Sequence, residues 1–153
     1  MGLKVNQLTR QLISLQHIGL DSMCFLYQFS NHLLYGPLTQ IIFDLAQERK
    51  IHCYTSTISL IETFILPEKQ RDVFMINRYE KFFQHLPNLQ VTAVDWNTGR
   101  LVSKLKAKYS GIKTPDAIQI ASALLQGCSL FVTNDKQLRQ VSEIKVTLLS
   151  DYV

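Results

Sequence analysis

The sequence predicts an α/β domain built on a mostly parallel sheet with helices on both faces. Three observations carry that expectation. Short runs rich in β-branched and apolar residues alternate with longer stretches of helical period, as in repeated strand–helix units. The chain has 153 residues, 46% hydrophobic and 18% charged, a size and composition suited to one compact core. No internal repeat, low-complexity tract or Ser/Gly/Pro-rich linker divides it, so residues 1–153 are expected to form a single domain.

The elements follow in order. Val5, Leu8, Leu12 and Leu15 share one helical face, which makes residues 1–17 an N-terminal extension of helical pattern. Ile18-Gly19-Leu20 reads as the first strand; it ends at Asp21 and leads into SMCFLYQFS. After the Gly36-Pro37 break, Leu38, Ile41, Ile42 and Leu45 recur at i, i+3, i+4 and i+7, an amphipathic helix with proline in its first turn. Ile51 to Ser56 is the second strand, and a helix runs on through Glu62, with Pro67 marking its end or the start of the next segment. From Glu68 to Leu86, Met75, Tyr79, Phe82, Phe83 and Leu86 form another apolar stripe. Leu89 to Val94 is the third strand. Asp95 or Thr98 caps the following helix, whose buried face holds Leu101, Val102, Leu105 and Tyr109. In GIKTPDAIQIASALLQG, Thr114 is placed as N-cap, Pro115 as first helical residue and Gly127 as the C′ glycine. Ser129 to Thr133 is the fourth strand, Asn134-Asp135 opens a short helix, and Lys145 to Leu149 is the fifth strand.

Sixteen Lys and Arg against twelve Asp and Glu give a net charge of +4, compatible with a polyanionic partner without naming one. The first twenty residues lack a secretory h-region, and no apolar run is long enough to span a bilayer. Cys24, Cys53 and Cys128 are odd in number and far apart, so they are expected to be buried reduced thiols of a cytoplasmic protein. His17, His32, His52 and His85 show no metal-ligand spacing.

The acidic residues separate into two groups. Asp44, Glu48, Glu68, Asp72, Glu80 and Glu143 sit in mixed polar stretches and read as solvated faces; Asp95 is accounted for by capping. Asp21 is the only charge in IGLDSMCFLYQF, and Glu62 the only one in TSTISLIETFIL, where an unpaired carboxylate is costly to bury. A helix cap explains Asp21 taken alone, and an outward-facing position explains Glu62. Asp116 and Asp135 each sit at a helix start, where the macrodipole favours a carboxylate. In a parallel sheet, however, strand ends and the starts of the following helices share one edge, so all four project toward a common rim. Two carboxylates about 4 Å apart repel by roughly 4 kcal/mol at an effective dielectric near 20, so such a cluster calls for a cation. Hard oxygen donors suit Mg²⁺ or Mn²⁺.

At these residues the sequence resembles the PIN-domain family, and within it the VapC-type toxins. The four acids occur in the family order, at spacings of 41, 54 and 19 residues. KTPDAIQIASAL resembles the third motif, FVTNDKQL the fourth-strand motif, IGLDSMCFLY the first and STISLIETF the second, so the resemblance covers Ile18 to Leu149. It departs from the family at Met23, where a small polar residue is usual, and in the residues preceding the first strand. The resemblance implies a three-layer sandwich on a five-stranded parallel sheet of order 3-2-1-4-5. It also implies a homodimer, Mg²⁺- or Mn²⁺-dependent cleavage of RNA, and a VapB-like antitoxin as partner.

On that basis Asp21, Glu62, Asp116 and Asp135 are the expected catalytic residues, with Asp21, Asp116 and Asp135 on the metal. Ser22 and Thr133 are expected as supports. Arg100, Lys104 and Lys108, at i, i+4 and i+8, together with Lys113, are candidates for RNA phosphates or simply a solvated face. A metal-independent ribonuclease would need paired histidines near the rim, and a phospho-acceptor receiver domain would need adjacent acids after the first strand and a lysine after the last. Neither pattern is present. The alternative reading is a catalytically silent PIN-like domain acting as a protein or RNA interaction module.

Overall fold

The computed structural model describes residues 2–153; Met1, part of the expected domain span, lies outside the described residues. The elements run α1 (Gly2–Leu15), β1 (His17–Leu20), α2 (Ser22–Phe29), α3 (Gly36–Gln47), β2 (His52–Ser56), α4 (Thr57–Lys69), α5 (Val73–His85), β3 (Leu89–Thr92), α6 (Trp96–Lys108), α7 (Thr114–Leu125), β4 (Leu130–Thr133) and β5 (Lys145–Leu148). Short 3₁₀ helices at Lys136–Gln140 and Leu149–Tyr152 complete the order. The five strands form one parallel sheet of order β3-β2-β1-β4-β5, as the resemblance implied. The chain moves outward from β1 through β2 to β3, then returns to β4 on the other side of β1. The order therefore reverses between β1 and β4, and the carboxyl ends of these two strands flank the crevice where open α/β sheets bind ligands.

Each face of the sheet carries its own core. On one, Leu8 and Leu12 of α1, Cys24 and Phe25 of α2, Ile42 and Phe43 of α3 and Phe83 of α5 pack with Ile18 and Leu20. On the other, Val102 and Leu105 of α6 join Ala117, Ile120 and Ala121 of α7 around Phe131. The N-terminal extension is thus a helix whose apolar stripe belongs to the first core. Among the described residues no helix is long and apolar enough to cross a membrane.

Gly19 decides how closely α7 lies on the sheet. A Cβ at this position would stand 2.6 Å from the Ala123 Cβ and 3.0 Å from the Phe131 ring. Gly19→Ala is expected to destabilise the protein by about 1–3 kcal/mol, the usual cost of overpacking. A thermal midpoint equal to that of the wild type would show that the contact is slack.

Strand limits fall within a residue or two of the sequence expectation, with β3 ending at Thr92 instead of Val94, and the helix boundaries refine it further. Pro67 lies inside α4 and is buried; only the bond to the Thr63 carbonyl is forgone, two residues before the helix ends. The segment from Glu68 to Leu86 is consequently broken, because Asp72 caps α5 by accepting from the Met75 N–H at 3.1 Å. Of the two candidate caps of α6, Asp95 serves: its Oδ1 accepts from both the N–H and the hydroxyl of Thr98, each at 2.9 Å. Lys113, not Thr114, is the N-cap of α7, with Pro115 in the second helical position. The Thr114 hydroxyl is engaged elsewhere, accepting from Lys106 Nζ at 3.0 Å.

Candidate active site

Asp21 is the first residue past β1 and caps α2 in extended conformation. Its Oδ1 accepts from the Ser22 N–H at 2.7 Å, and its Oδ2 from the Thr133 hydroxyl at 2.6 Å. Both oxygens of this carboxylate are therefore engaged, one by the helix cap and one by Thr133. Thr133, the last residue of β4, also accepts from the Asp135 N–H at 3.1 Å, so one hydroxyl links two of the acids across the β1/β4 crevice. Asp135 caps the 3₁₀ helix by accepting from the Gln137 N–H at 2.9 Å. Asp116 is the third residue of α7, and Glu62 lies in the second turn of α4. Both are half-buried.

Electrostatics shows which of these charges stand together. Burial pushes the Asp21 carboxyl up from its ordinary 3.8 to about 6. The charges of Asp116 and Glu62 add to the push, while the hydrogen bonds from Thr133 and Ser22 oppose it. Asp116 is also raised, first by burial and then by the charges of Asp135 and Glu62, with Lys113 pulling the other way. Asp21 thus feels Asp116 and Glu62, and Asp116 feels Glu62 and Asp135 together. The structure brings all four to the carboxyl edge of the sheet.

The donor set fits a hard divalent cation. Among the described residues no group of three or more acidic, histidine or cysteine side chains is placed to hold a metal ion. Mg²⁺ does not require one, since it keeps several waters and is usually bound through one or two carboxylates plus substrate phosphate. The repulsion and burial that raise the buried Asp21 and the half-buried Asp116 are what such an ion would relieve.

The supports and basic residues divide. Thr133 and the Ser22 N–H hold Asp21 directly, while the Ser22 hydroxyl turns to a buried polar cluster with Thr55, Ser56, Ser59 and Gln119. Apart from Ser22, sequence reasoning missed that cluster. Its signal was Gln119, the one amide within the apolar run AIQIASALL. Arg100 and Lys104 are exposed along α6, but Lys108 is held by Glu143 at 2.7 Å. Lys113 is exposed beside Asp116. Lys106, outside the expected stripe, ties α6 to the loop before α7 by donating to the Ile112 carbonyl at 3.1 Å.

A family model described as the PIN domain matches residues 20–144, and the chain belongs to that family. Among solved structures it is similar to VapBC2 from Rickettsia felis bound to a promoter DNA fragment, with a TM-score of 0.63 and 17% identity over 86% of this chain and 97% of that one. It is similar to a toxin–antitoxin complex from Klebsiella pneumoniae, at 0.62 and 16% over 86% and 96%. It is also similar to DNA-bound VapBC from Salmonella typhimurium, at 0.66 and 16% over 86% and 97%. At these identities the likeness is one of fold. No curated protein matches it by sequence.

Proposed function

We propose that this chain is a single-domain, cytoplasmic, Mg²⁺- or Mn²⁺-dependent endoribonuclease acting as the toxin of a toxin–antitoxin pair. What supports the reading is the position of Asp21, Glu62, Asp116 and Asp135 along the carboxyl edge of a PIN fold, with the charges of Asp116 and Glu62 felt at Asp21 and that of Asp135 at Asp116. Asp21, Asp116 and Asp135 hold the metal, directly or through water, and Glu62 completes the site by orienting the attacking water. When bound, the ion neutralises charge on the phosphoryl oxygens and lowers the pKa of a water. Thr133 and the Ser22 N–H fix the Asp21 carboxylate in one orientation by occupying one acceptor site on each oxygen. The purified protein is expected to cut a synthetic RNA in Mg²⁺ or Mn²⁺ and to stop on chelation. Metal binding without cleavage would favour the silent interaction module.

Arg100, Lys104 and Lys113 are exposed and free to meet RNA phosphates, whereas Lys108 must first leave Glu143. Replacing Arg100 and Lys104 together by alanine is expected to weaken RNA binding and flatten its salt dependence by about two phosphate contacts. An unchanged salt slope would remove them from the RNA path.

A VapB-like antitoxin and a second copy of the chain are the proposed protein partners. Support comes from the toxin–antitoxin complexes among the similar structures and from an exposed apolar face on α4 and α5, with Ile61, Ile65, Leu66, Val73 and Phe74. Sedimentation at micromolar concentration is expected to give a dimer, and only monomer would count against it. The product of a neighbouring gene, co-expressed, is expected to suppress cleavage.

A further inference from the structure

Beneath the carboxylates lie five polar side chains from four elements: Ser22 opening α2, Thr55 and Ser56 ending β2, Ser59 in the first turn of α4, and Gln119 on α7. None is more than 3% exposed. Their proton directions follow from one fixed donor. The Ser56 N–H can only donate, and it stands 3.0 Å from Gln119, so the atom facing it is the amide oxygen Oε1. Ser56 Oγ donates its single proton to the same oxygen at 2.8 Å and accepts from the Ile58 N–H at 3.2 Å. Both hydrogens of Gln119 Nε2 are then directed at Ser22 Oγ, 2.9 Å away, and Ser59 Oγ, 2.8 Å away. Thr55 Oγ1 lies 2.9 Å from the Leu20 carbonyl and 3.3 Å from Gln119 Oε1, and its proton takes the shorter path. Ser59 therefore donates to Thr55 across 2.6 Å, and Ser22 to Ser59 across 3.2 Å. Every donor in the cluster is used once.

Each arm of this cluster ends next to an acid. Ser22 adjoins Asp21, and Thr55 holds the carbonyl of the residue before it. Ser59 is three residues ahead of Glu62 on α4, and Gln119 three beyond Asp116 on α7. Filling the space would need only a leucine or methionine; five buried polar groups are costly to assemble for packing alone. We propose that Gln119 is a positioning residue for the carboxylate cluster, its amide setting the mutual placement of Asp21, Glu62 and Asp116 and through them the affinity for a divalent metal. The inference rests on reading that cluster as a metal site.

The test uses Gln119→Met, which keeps an unbranched side chain of similar volume and removes every hydrogen bond. Mn²⁺ binding by calorimetry, RNA cleavage and thermal melts are measured for the wild type, Gln119→Met, Ser59→Ala and the double variant. The Mn²⁺ dissociation constant is expected to rise about 10–100-fold in Gln119→Met, the scale of lost support behind a metal ligand. The kcat for RNA should fall while KM stays constant. Ser59→Ala should show a smaller rise, and the double variant less than the sum of the two, because they share the bond from Gln119 Nε2 to Ser59 Oγ. A folded Gln119→Met with wild-type Mn²⁺ affinity overturns the proposal, and so does simple additivity in the double variant. Should Gln119→Met fail to fold, wild-type Mn²⁺ affinity in Ser59→Ala overturns it instead. Gln119-dependent Mn²⁺ binding without RNA cleavage would sink the nuclease reading and leave this one standing; a wild type that binds no Mn²⁺ defeats both.

Discussion

Asp116→Asn is expected to reduce metal-dependent RNA cleavage by about 10²–10³-fold or more, the scale of removing one electrostatic contact to a transition state. The same result is expected for Asp21→Asn. The exchange keeps shape and removes one negative charge, so a hard cation loses an anionic ligand and the attacking water loses its place. Folding should not suffer. Burial and the charges of Asp135 and Glu62 already oppose ionisation of Asp116, so removing its charge relieves repulsion in the metal-free protein. The metal-free melting temperature should equal or exceed that of the wild type. Lost cleavage accompanied by a lower melting temperature would indicate damage to the fold. A wild-type rate in either variant would mean that the chemistry lies elsewhere.

The second large effect is on stability against pH. Asp21 gives up its proton near 3.8 when unfolded and near 6 when folded. Between those values the native state holds more protons than the unfolded chain, so raising the pH favours unfolding. The penalty is absent below about pH 3.8 and complete above about pH 6, where two pKa units correspond to about 3 kcal/mol. Asp116 is shifted in the same direction, while Asp95 and Glu143 are shifted oppositely by their surface hydrogen bonds. The informative quantity is therefore the difference between wild type and Asp21→Asn in urea melts at pH 4.5 and 7.5, without metal. Asp21→Asn should remove most of the wild type's loss of stability at pH 7.5, and Mg²⁺ or Mn²⁺ should restore it to the wild type. Identical pH profiles for the two proteins would show that Asp21 ionises freely in the fold.

The sheet was legible in the sequence because its signals are local. Ile18–Leu20 and Leu130–Thr133 are short apolar runs closed by polar residues, and their alternation with helical stripes leaves few topologies. The strand order came from the resemblance, since pairing is a long-range property that periodicity does not encode. Asp21 and Glu62 stood out because burying a lone charge in an apolar run is expensive, Asp116 and Asp135 only because strand ends and helix starts share one edge of a parallel sheet. Gln119 and Ser59 did not, because an uncharged polar residue on a helix reads as an ordinary surface position until the opposing elements are known. Thr114 misled for a related reason: its hydroxyl fits a cap in isolation, and only the approach of Lys106 from α6 assigns it elsewhere.

The missing side chain at Gly19 makes the two sides of the site mechanically unequal. Asp21 lies two residues beyond Gly19 on one chain segment, and Asp116 two helical turns before Ala123 on another. The two acids are spaced by a strand and a helix that approach more closely than a side chain at position 19 would allow. Glu62 is referenced to them through Ser59 and the Gln119 amide, and hydrogen bonds stretch and bend far more readily. Asp21 and Asp116 are thus placed relative to one another by packing, and Glu62 relative to them by hydrogen bonds.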